Sequence, residues 1–213
     1  DANKESDATT LPMTPSLFFN KSSYQNWIDL SSLVNMVEYY KLSERTYTEC
    51  PEMTIDPDKQ YTVTFETEKG DIVFELYPRF APVAVNSFVF LAREGWYDNS
   101  PFYRVIPDYI VQGGDPSGSS NGTPGYHFTL ETTPRLRFNQ AGMLAMATDS
   151  EGYNGSQFFI TYSAIPEYDG KFTIFGKVVE GMEVVESLRP RDPYYDQVLL
   201  PADILTKVTI EEK

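Results

Sequence analysis

The sequence predicts a mainly β protein in which antiparallel strands close into a barrel, preceded by a partly helical extension. Three observations support this prediction. From Tyr61 onwards, apolar and polar residues alternate in short runs, which is the pattern of half-buried strands. Turn-forming residues separate these runs, and only two segments after residue 60 have helical spacing. Closing many antiparallel strands into a barrel would remove exposed sheet edges.

The composition excludes several classes of protein. The 213-residue chain is long enough for one domain with an extension, and 41% hydrophobic residues are enough for a core. Its formal net charge of −14 argues against binding to nucleic acid or to anionic membrane surfaces. The single histidine, His127, and the single cysteine, Cys50, cannot make a zinc site or an internal disulfide. No apolar run in this chain approaches the length of a membrane span.

Residues 1–58 form the predicted extension, and residues 59–213 form the predicted domain. Between Ser23 and about Leu42, apolar residues recur at steps of three and four, which predicts one amphipathic helix. The extension carries ten acidic and four basic residues but also seven aromatic ones, and soluble proteins rarely leave that much apolar surface exposed. We therefore expect it either to dock on a protein partner or to lie on its own barrel as a helical lid.

The domain begins with a predicted hairpin and a helix. Residues 61–65 and 72–76 alternate apolar and polar side chains on either side of a turn at Lys69-Gly70-Asp71. Pro82 sits where the first turn of a helix should be, and Gly95 sits where a helix should stop. Later elements are predicted as strands at 142–147, 157–162, 172–179 and 204–210, with a short helix at Met182–Leu188.

A second predicted hairpin turns at Pro107-Asp108 and carries the candidate chemistry. Alternation places Phe102 with Arg104 on one side of its first strand, and Ile110 with Gln112 on one side of its second. Arginine keeps its charge at any working pH and donates from a rigid fork. Beside a glutamine over an apolar groove, this arginine is suited to holding a carbonyl-rich ligand. An ordinary surface arginine on a hairpin is the alternative.

Three ordered motifs resemble those of the cyclophilin-type peptidyl-prolyl cis-trans isomerases. They are Phe102-Tyr103-Arg104-Val105-Ile106-Pro107 with Val111-Gln112-Gly113-Gly114-Asp115, then Asn154-Gly155-Ser156-Gln157-Phe158-Phe159-Ile160, then Asp169-Gly170-Lys171 with Phe175-Gly176-Lys177-Val178. The resemblance runs from about Tyr61 to the last residue. It implies a closed eight-stranded antiparallel barrel capped by two helices, and isomerase activity on proline-containing polypeptides.

The resemblance also implies roles for individual residues. Arg104 matches the arginine that stabilises the transition state, and Gln112 matches a residue that binds the substrate backbone and helps to fix that arginine. The cup for the proline ring falls on Tyr109, Ile110, Phe159, Tyr168 and Phe172. The groove for residues before the proline falls on Gly122, Ala147, Thr148 and Gln157. Taken singly, Phe159 or Ile110 would be plain core and Gln157 would satisfy a loop, but together they favour a binding site.

The chemistry of this reaction makes few demands on side chains. Rotation of an X-Pro amide must cross a barrier of ~18–20 kcal/mol because amide resonance is lost. No bond to carbon or hydrogen breaks, so no nucleophile, metal or acid–base pair is required and we expect no cofactor. A donor aimed at the twisted amide, in a site shielded from water, stabilises the transition state more than the planar ground state.

The chain departs from the family pattern around the expected pocket. Tyr168, Phe172, Tyr109, Ile110 and Thr148 stand where Leu, His, Phe, Met and Asn are usual. Glu167 stands where many members carry Trp, which adds a negative charge and removes an indole donor. With Asp149 and Asp108 close in sequence to other pocket residues, we expect the groove to disfavour acidic peptides.

Two functions stay open from the sequence. The first is an active prolyl isomerase that assists protein folding, favoured by the set Arg104, Gln112 and Phe159. The second is a structural or accessory subunit that uses the barrel as a binding module and residues 1–58 as a docking arm, favoured by the aromatic extension. The sequence begins with Asp1, its first residues are polar, and it resembles bacterial secreted or anchored members. We therefore expect an extracytoplasmic protein, secreted or membrane-anchored before processing.

Overall fold

The computed structural model of the protein describes residues 46–213, so the helix predicted between Ser23 and Leu42 lies outside the described residues. The strands are β1 Tyr61–Thr67, β2 Gly70–Leu76, β3 Ser100–Pro101, β4 Arg104–Ile106, β5 Ile110–Gly113, β6 Met143–Thr148, β7 Asn154–Thr161, β8 Ile174–Glu180 and β9 Ile204–Glu212. The helices are α1 Pro82–Arg93 and α2 Met182–Ser187, and a 3₁₀ turn spans Pro166–Tyr168. Neither of these helices is long and apolar enough to cross a membrane.

One antiparallel sheet contains all nine strands of the described residues and curls around the core. The strand order is β3-β9-β1-β2-β8-β6-β7-β5-β4, so the two edge strands are consecutive in the chain and only Phe102 and Tyr103 separate them. The predicted mainly β, antiparallel architecture with two helices is confirmed. The closed eight-stranded barrel is not confirmed, because the sheet has nine strands and no ladder joins β3 to β4 within residues 46–213.

The segment between α2 and β9 forms a backbone bridge to the outer edge of β4. Val105 and Arg191 exchange two backbone hydrogen bonds of 2.7 and 2.9 Å. The irregular step between β3 and β4 also interrupts the alternation of side chains. Phe102 therefore lies in the main core together with Val105, and the prediction that it shares a face with Arg104 is wrong.

The two predicted hairpins and the first helix are confirmed. β1 and β2 pair with Thr67 opposite Gly70, and β4 and β5 pair across the turn that contains Asp108. Asp108 has a φ of 63°, a left-handed conformation that aspartate tolerates better than most residues. Helix α1 begins at Pro82 and is followed by Gly95 with a φ of 69°, as a proline at the start and a glycine past the end predict.

The main core fills the space between the curled sheet and α1. The ring of Phe65 lies 4.5 Å from that of Phe74 and 5.3 Å from that of Phe158. Phe88 extends from α1 into this group, 5.2 Å from Phe175. Burying each of these side chains contributes about 2–3 kcal/mol. Because the inner face is packed in this way, the strands form a rigid support for side chains on the opposite face.

Residues 46–58, which the sequence assigns to the extension, contact the domain. Asn86 on α1 is buried, and its side-chain oxygen accepts the backbone N–H of Thr54 at 2.8 Å. Ile55 is buried in the main core. Tyr47 donates its backbone N–H to a loop carbonyl at 2.7 Å. The division of the chain at residue 58 stays a prediction, but the described residues before it are joined to the domain by specific contacts.

Candidate active site

One row of side chains crosses four adjacent strands. Arg104 of β4 lies opposite Gln112 of β5, and Gln112 lies opposite Phe159 of β7. Phe159 in turn lies opposite Ala145 of β6. Residues that are directly opposite in antiparallel strands share a face of the sheet. The ladder therefore places a cation, a primary amide, an aromatic ring and a small residue side by side.

A second apolar cluster surrounds this row, separate from the main core. Its buried members are Ile110, Phe138, Met143, Ala145, Phe159, Ile165 and Ile174, with Tyr109, Tyr168 and Phe172 partly buried against them. The ring of Phe172 lies 5.3 Å from that of Phe159 and 4.6 Å from that of Tyr168. All five residues that the sequence assigns to a proline cup therefore lie in one cluster, which we call the aromatic cluster.

Two hydroxyl groups meet at the partly exposed side of the aromatic cluster. The side chains of Tyr109 and Tyr168 are hydrogen-bonded to each other, and their ring centres are 6.1 Å apart. Burial, together with this hydrogen bond, raises the pKa of Tyr168 well above its usual range. The pair links the turn before β5 to the 3₁₀ turn at Pro166–Tyr168.

A groove of about 530 Å³ lies beside this cluster. Five predicted site residues line it: Gln112, Gly122, Ala147, Thr148 and Gln157. Asp149, Tyr153, His127 and Tyr194 also contribute to its walls. Gln112 belongs both to this groove and to the row that contains Arg104, so a chain lying in the groove would continue towards the arginine and the aromatic cluster.

The two glutamines of the site differ in how their amides are occupied. The amide nitrogen of Gln157 donates to the carbonyls of Ser120 and Gly122, both at 3.0 Å. Its oxygen accepts the hydroxyl of Tyr103 at 2.6 Å. Gln112 makes no side-chain hydrogen bond within residues 46–213. Gln157 therefore holds the loop at the rim of the groove, whereas the amide of Gln112 is available to a ligand.

The loop that carries Gly122 is organised by a buried carboxylate. Asp115 is fully buried and accepts the backbone N–H groups of Ser117 at 2.7 Å and Gly122 at 3.0 Å. A β-carbon added at Gly122 would lie 1.8 Å from a carboxylate oxygen of Asp115. Only glycine fits here, and this explains the residue type at this point of the groove.

A segment that the sequence reasoning missed contacts Arg104. The Nε atom of Arg104 is buried without a hydrogen-bond partner, and it lies 3.5 Å from a carboxylate oxygen of Asp192. The guanidinium carbon lies 5.5 Å from the ring centre of Tyr194. The family resemblance implies that Gln112 helps to fix the arginine, but no hydrogen bond joins the two side chains in the described part of the chain. No local pattern could have indicated Asp192, because it is far from Arg104 in the sequence.

The arrangement has the properties of a binding site for a polarised amide. Nothing within residues 46–213 accepts a hydrogen bond from the terminal nitrogens of Arg104, so these donors are free for a ligand. They lie next to an apolar cluster, where fixed charges act more strongly than in bulk water. Residues 46–213 contain no group of three or more His, Cys, Asp or Glu that could hold a metal ion.

Comparison with known proteins agrees with this geometry. The family model described as cyclophilin type peptidyl-prolyl cis-trans isomerase/CLD matches residues 62–210. Peptidyl-prolyl cis-trans isomerase cypE of Dictyostelium discoideum is 46% identical to this chain over 132 residues, which cover 61% of this chain and 85% of that protein.

Solved structures give the same result. The crystal structure of a cyclophilin type peptidyl-prolyl cis-trans isomerase from Cryptosporidium parvum matches with a TM-score of 0.65 and 35% identity, covering 71% of this chain and 98% of that chain. A crystal structure of the same Cryptosporidium protein in the presence of the dipeptide Ala-Pro matches with a TM-score of 0.64 and 35% identity, covering 70% and 98%.

Proposed function

The chain belongs to the cyclophilin-type peptidyl-prolyl cis-trans isomerases and is an enzyme that interconverts the cis and trans forms of X-Pro amides, and we propose that Arg104 is the group that stabilises the twisted amide. The single observation that carries this proposal is the row of Arg104, Gln112 and Phe159 across three neighbouring strands. It brings the guanidinium donors, a primary amide and an apolar surface together on one face.

The proline ring of the substrate packs on the aromatic cluster in this proposal. Phe159 forms the base, and Tyr168 and Phe172 are the partly exposed rings beside it. The Cryptosporidium relative has a crystal structure in the presence of Ala-Pro, and we propose the same class of ligand here, a residue followed by proline within a polypeptide. Residues that precede the proline lie in the groove lined by Gly122, Ala147 and Thr148.

Catalysis follows from the change in charge as the amide twists. In the planar amide the nitrogen lone pair is delocalised into the carbonyl, and rotation localises it on a pyramidal nitrogen. A guanidinium donor directed at this nitrogen, or at the displaced carbonyl oxygen, binds the twisted form more strongly than the planar form. Gln112 holds the substrate backbone while the amide rotates. No proton or bonding pair is transferred, so the side chains act by position and charge alone.

Substitution of Arg104 tests this role. We expect Arg104→Ala to lower kcat/KM for a short Xaa-Pro peptide by about 10²–10³, the usual cost of removing one preorganised donor. Arg104→Lys keeps the charge without the planar fork and should recover only part of the activity. Arg93→Ala, which removes an exposed arginine paired with Glu212 at the end of β9, is the matched control. A folded Arg104→Ala protein with unchanged kcat/KM would contradict the proposal.

We also propose that the enzyme assists the folding of proteins outside the cytoplasm. The polar composition of residues 1–16 and the resemblance to secreted or anchored family members support this location. The accessory-subunit alternative depends mainly on the extension, most of which lies outside the described residues. Fractionation of the source cells tests the location, and recovery of the protein in the cytoplasmic fraction alone would overturn it.

A further inference from the structure

The connection between α2 and β9 lies across the edge of β4, next to the catalytic arginine. We call residues 189–203 the crossing loop. Asp203 fixes its two ends, since its carboxylate accepts the backbone N–H of Arg189 at 2.6 Å and the side chain of Lys69 at 2.9 Å. Near its start, Arg191 forms the backbone bridge to Val105 on β4. The crossing loop is therefore held at both ends, and its first residues are fixed to β4.

Hydrogen bonds within the crossing loop fix Asp192 in the position from which it contacts Arg104. Its backbone N–H donates to the side chain of Asp196 at 2.7 Å, and its carbonyl accepts the backbone N–H of Asp196 at 2.9 Å. One carboxylate oxygen, Oδ1, accepts the backbone N–H of Tyr194 at 3.1 Å. The same oxygen lies 3.5 Å from Nε of Arg104, and the two side chains are only 15% and 20% exposed.

Tyr194 contacts the arginine from a second direction. Its ring lies within cation–π distance of the guanidinium group, and its hydroxyl donates to the side chain of Ser120 at 2.9 Å. Ser120 belongs to the loop at the rim of the groove, and Tyr194 itself lines that groove. Tyr194 therefore connects the crossing loop, the arginine and the rim.

We propose that Asp192 and Tyr194 of the crossing loop are positioning residues that orient Arg104 for catalysis. Asp192 occupies the Nε side of the guanidinium group, which leaves the terminal nitrogens to the reacting amide. The nearby carboxylate also compensates the cost of a largely buried charge whose Nε has no hydrogen-bond partner. A donor that is already oriented stabilises a transition state without reorganisation. The inference rests on the proposed role of Arg104, because the loop acts only through that side chain.

Kinetics of substituted enzymes test the proposal. We expect Asp192→Ala and Tyr194→Ala each to lower kcat for an Xaa-Pro peptide about tenfold, since small errors in orientation are costly, while the KM of Asp192→Ala changes less than about twofold. Asp192→Asn keeps an acceptor oxygen for the turn and should recover part of the lost kcat. Tyr195→Ala is the matched control, because Tyr195 is the neighbouring tyrosine, is 83% exposed and, unlike Tyr194, makes no cation–π contact with Arg104. Folding of each variant is verified by thermal unfolding.

The NMR signal of the Arg104 Nε–H group gives a readout that does not depend on activity. Asp192→Ala should change the chemical shift or the line width of this signal, and Tyr195→Ala should change neither. A folded Asp192→Ala protein with wild-type kcat overturns the proposal, whether or not the signal moves, and so does a loss of kcat with an unmoved signal. Full activity of Arg104→Ala would instead contradict the proposed role of Arg104, and this variant alone distinguishes that outcome from a failure of the positioning role.

Discussion

Two tyrosines of the aromatic cluster are hydrogen-bonded to each other, so the contribution of each hydroxyl group to stability depends on the other. Tyr109 and Tyr168 stand where family members usually carry Phe and Leu, so neither hydroxyl is needed for an apolar surface. Each hydroxyl has the other as its partner, and the rings also contact each other. Removing one hydroxyl leaves the other partly buried without a partner, whereas removing both leaves no polar group to satisfy.

Substitution by phenylalanine separates these two situations. We expect Tyr109→Phe and Tyr168→Phe each to lower the free energy of unfolding by about 1 kcal/mol, because one polar group loses its partner. The double variant should be less destabilised than the sum of the two, by about 0.5–1 kcal/mol. Urea unfolding of the four proteins measures this coupling. Tyr195→Phe, which removes a hydroxyl from an exposed ring, is the control, and strictly additive effects would contradict the prediction.

At the residue scale, the sequence was informative where local periodicity decided the geometry. Alternation and the motifs placed Arg104 beside Gln112 and Ile110 near Phe159, and the ladder and the aromatic cluster agree with this placement. Phe102 was misplaced because the two-residue step before β4 breaks the alternation. The contact of Asp192 with Arg104 was missed because it joins distant segments, and such contacts depend on how the sheet curls.

The start of α1 shows that sequence patterns also miss distant contacts that complete a secondary-structure element. The sequence predicted Pro82 in the first turn, but Ala81 before it offers no side-chain cap. The missing cap comes from Glu131, whose two carboxylate oxygens accept the backbone N–H groups of Val83 at 3.0 Å and Ala84 at 2.8 Å. A carboxylate at this end also interacts favourably with the helix dipole. No capping motif marks this contact, because Glu131 is distant in sequence.

Removal of this cap should weaken the first turn of α1. We expect Glu131→Ala to lower the free energy of unfolding by about 1–2 kcal/mol, because two backbone N–H groups lose their acceptor. Amide hydrogen exchange at Val83 and Ala84 should become faster than in the rest of the helix. Glu68→Ala, which removes an exposed glutamate from the turn between β1 and β2, should change neither quantity. Unchanged exchange at Val83 and Ala84 in Glu131→Ala would show that water replaces the carboxylate without cost.

For the whole molecule, the sequence predicts the class of fold correctly but not whether the sheet closes into a barrel. Strands with clear alternation, such as β1 and β2, were found at their predicted places. Their order around the sheet could not be read from alternation, which specifies faces and not neighbours. The two-residue β3 has no alternation to detect, and the bridge at Arg191 lies in a segment without strand periodicity. The number of strands and the covering of the outer edge of β4 depend on those two features, so neither could be predicted from alternation.

The boundary between the extension and the domain is a second property of the whole molecule. It depends on contacts between residues 46–58 and the domain. Ile55 is buried in the main core, and Asn86 of α1 bonds the backbone at Thr54. A chain cut after residue 58 would lose both contacts. It would also leave the amide of Asn86 buried and unpaired, which costs more than the loss of the hydrogen bonds alone. A chain cut after residue 45 would keep every contact that the structure describes.

Comparison of the two truncations therefore locates the functional boundary of the domain. We expect the protein that lacks residues 1–58 to unfold with a free energy about 2–5 kcal/mol lower than the protein that lacks residues 1–45, mainly because a buried isoleucine side chain is lost. Ile55→Ala in the longer protein should reproduce a large part of this difference, whereas Met53→Ala, at a side chain that is 53% exposed, should not. Equal stability of the two truncated proteins in urea would place the boundary at residue 58, as the sequence predicts. The expected difference would instead place residues 46–58 within the folding unit, and would leave residues 1–45 as the segment whose deletion tests a docking arm without disturbing the enzyme.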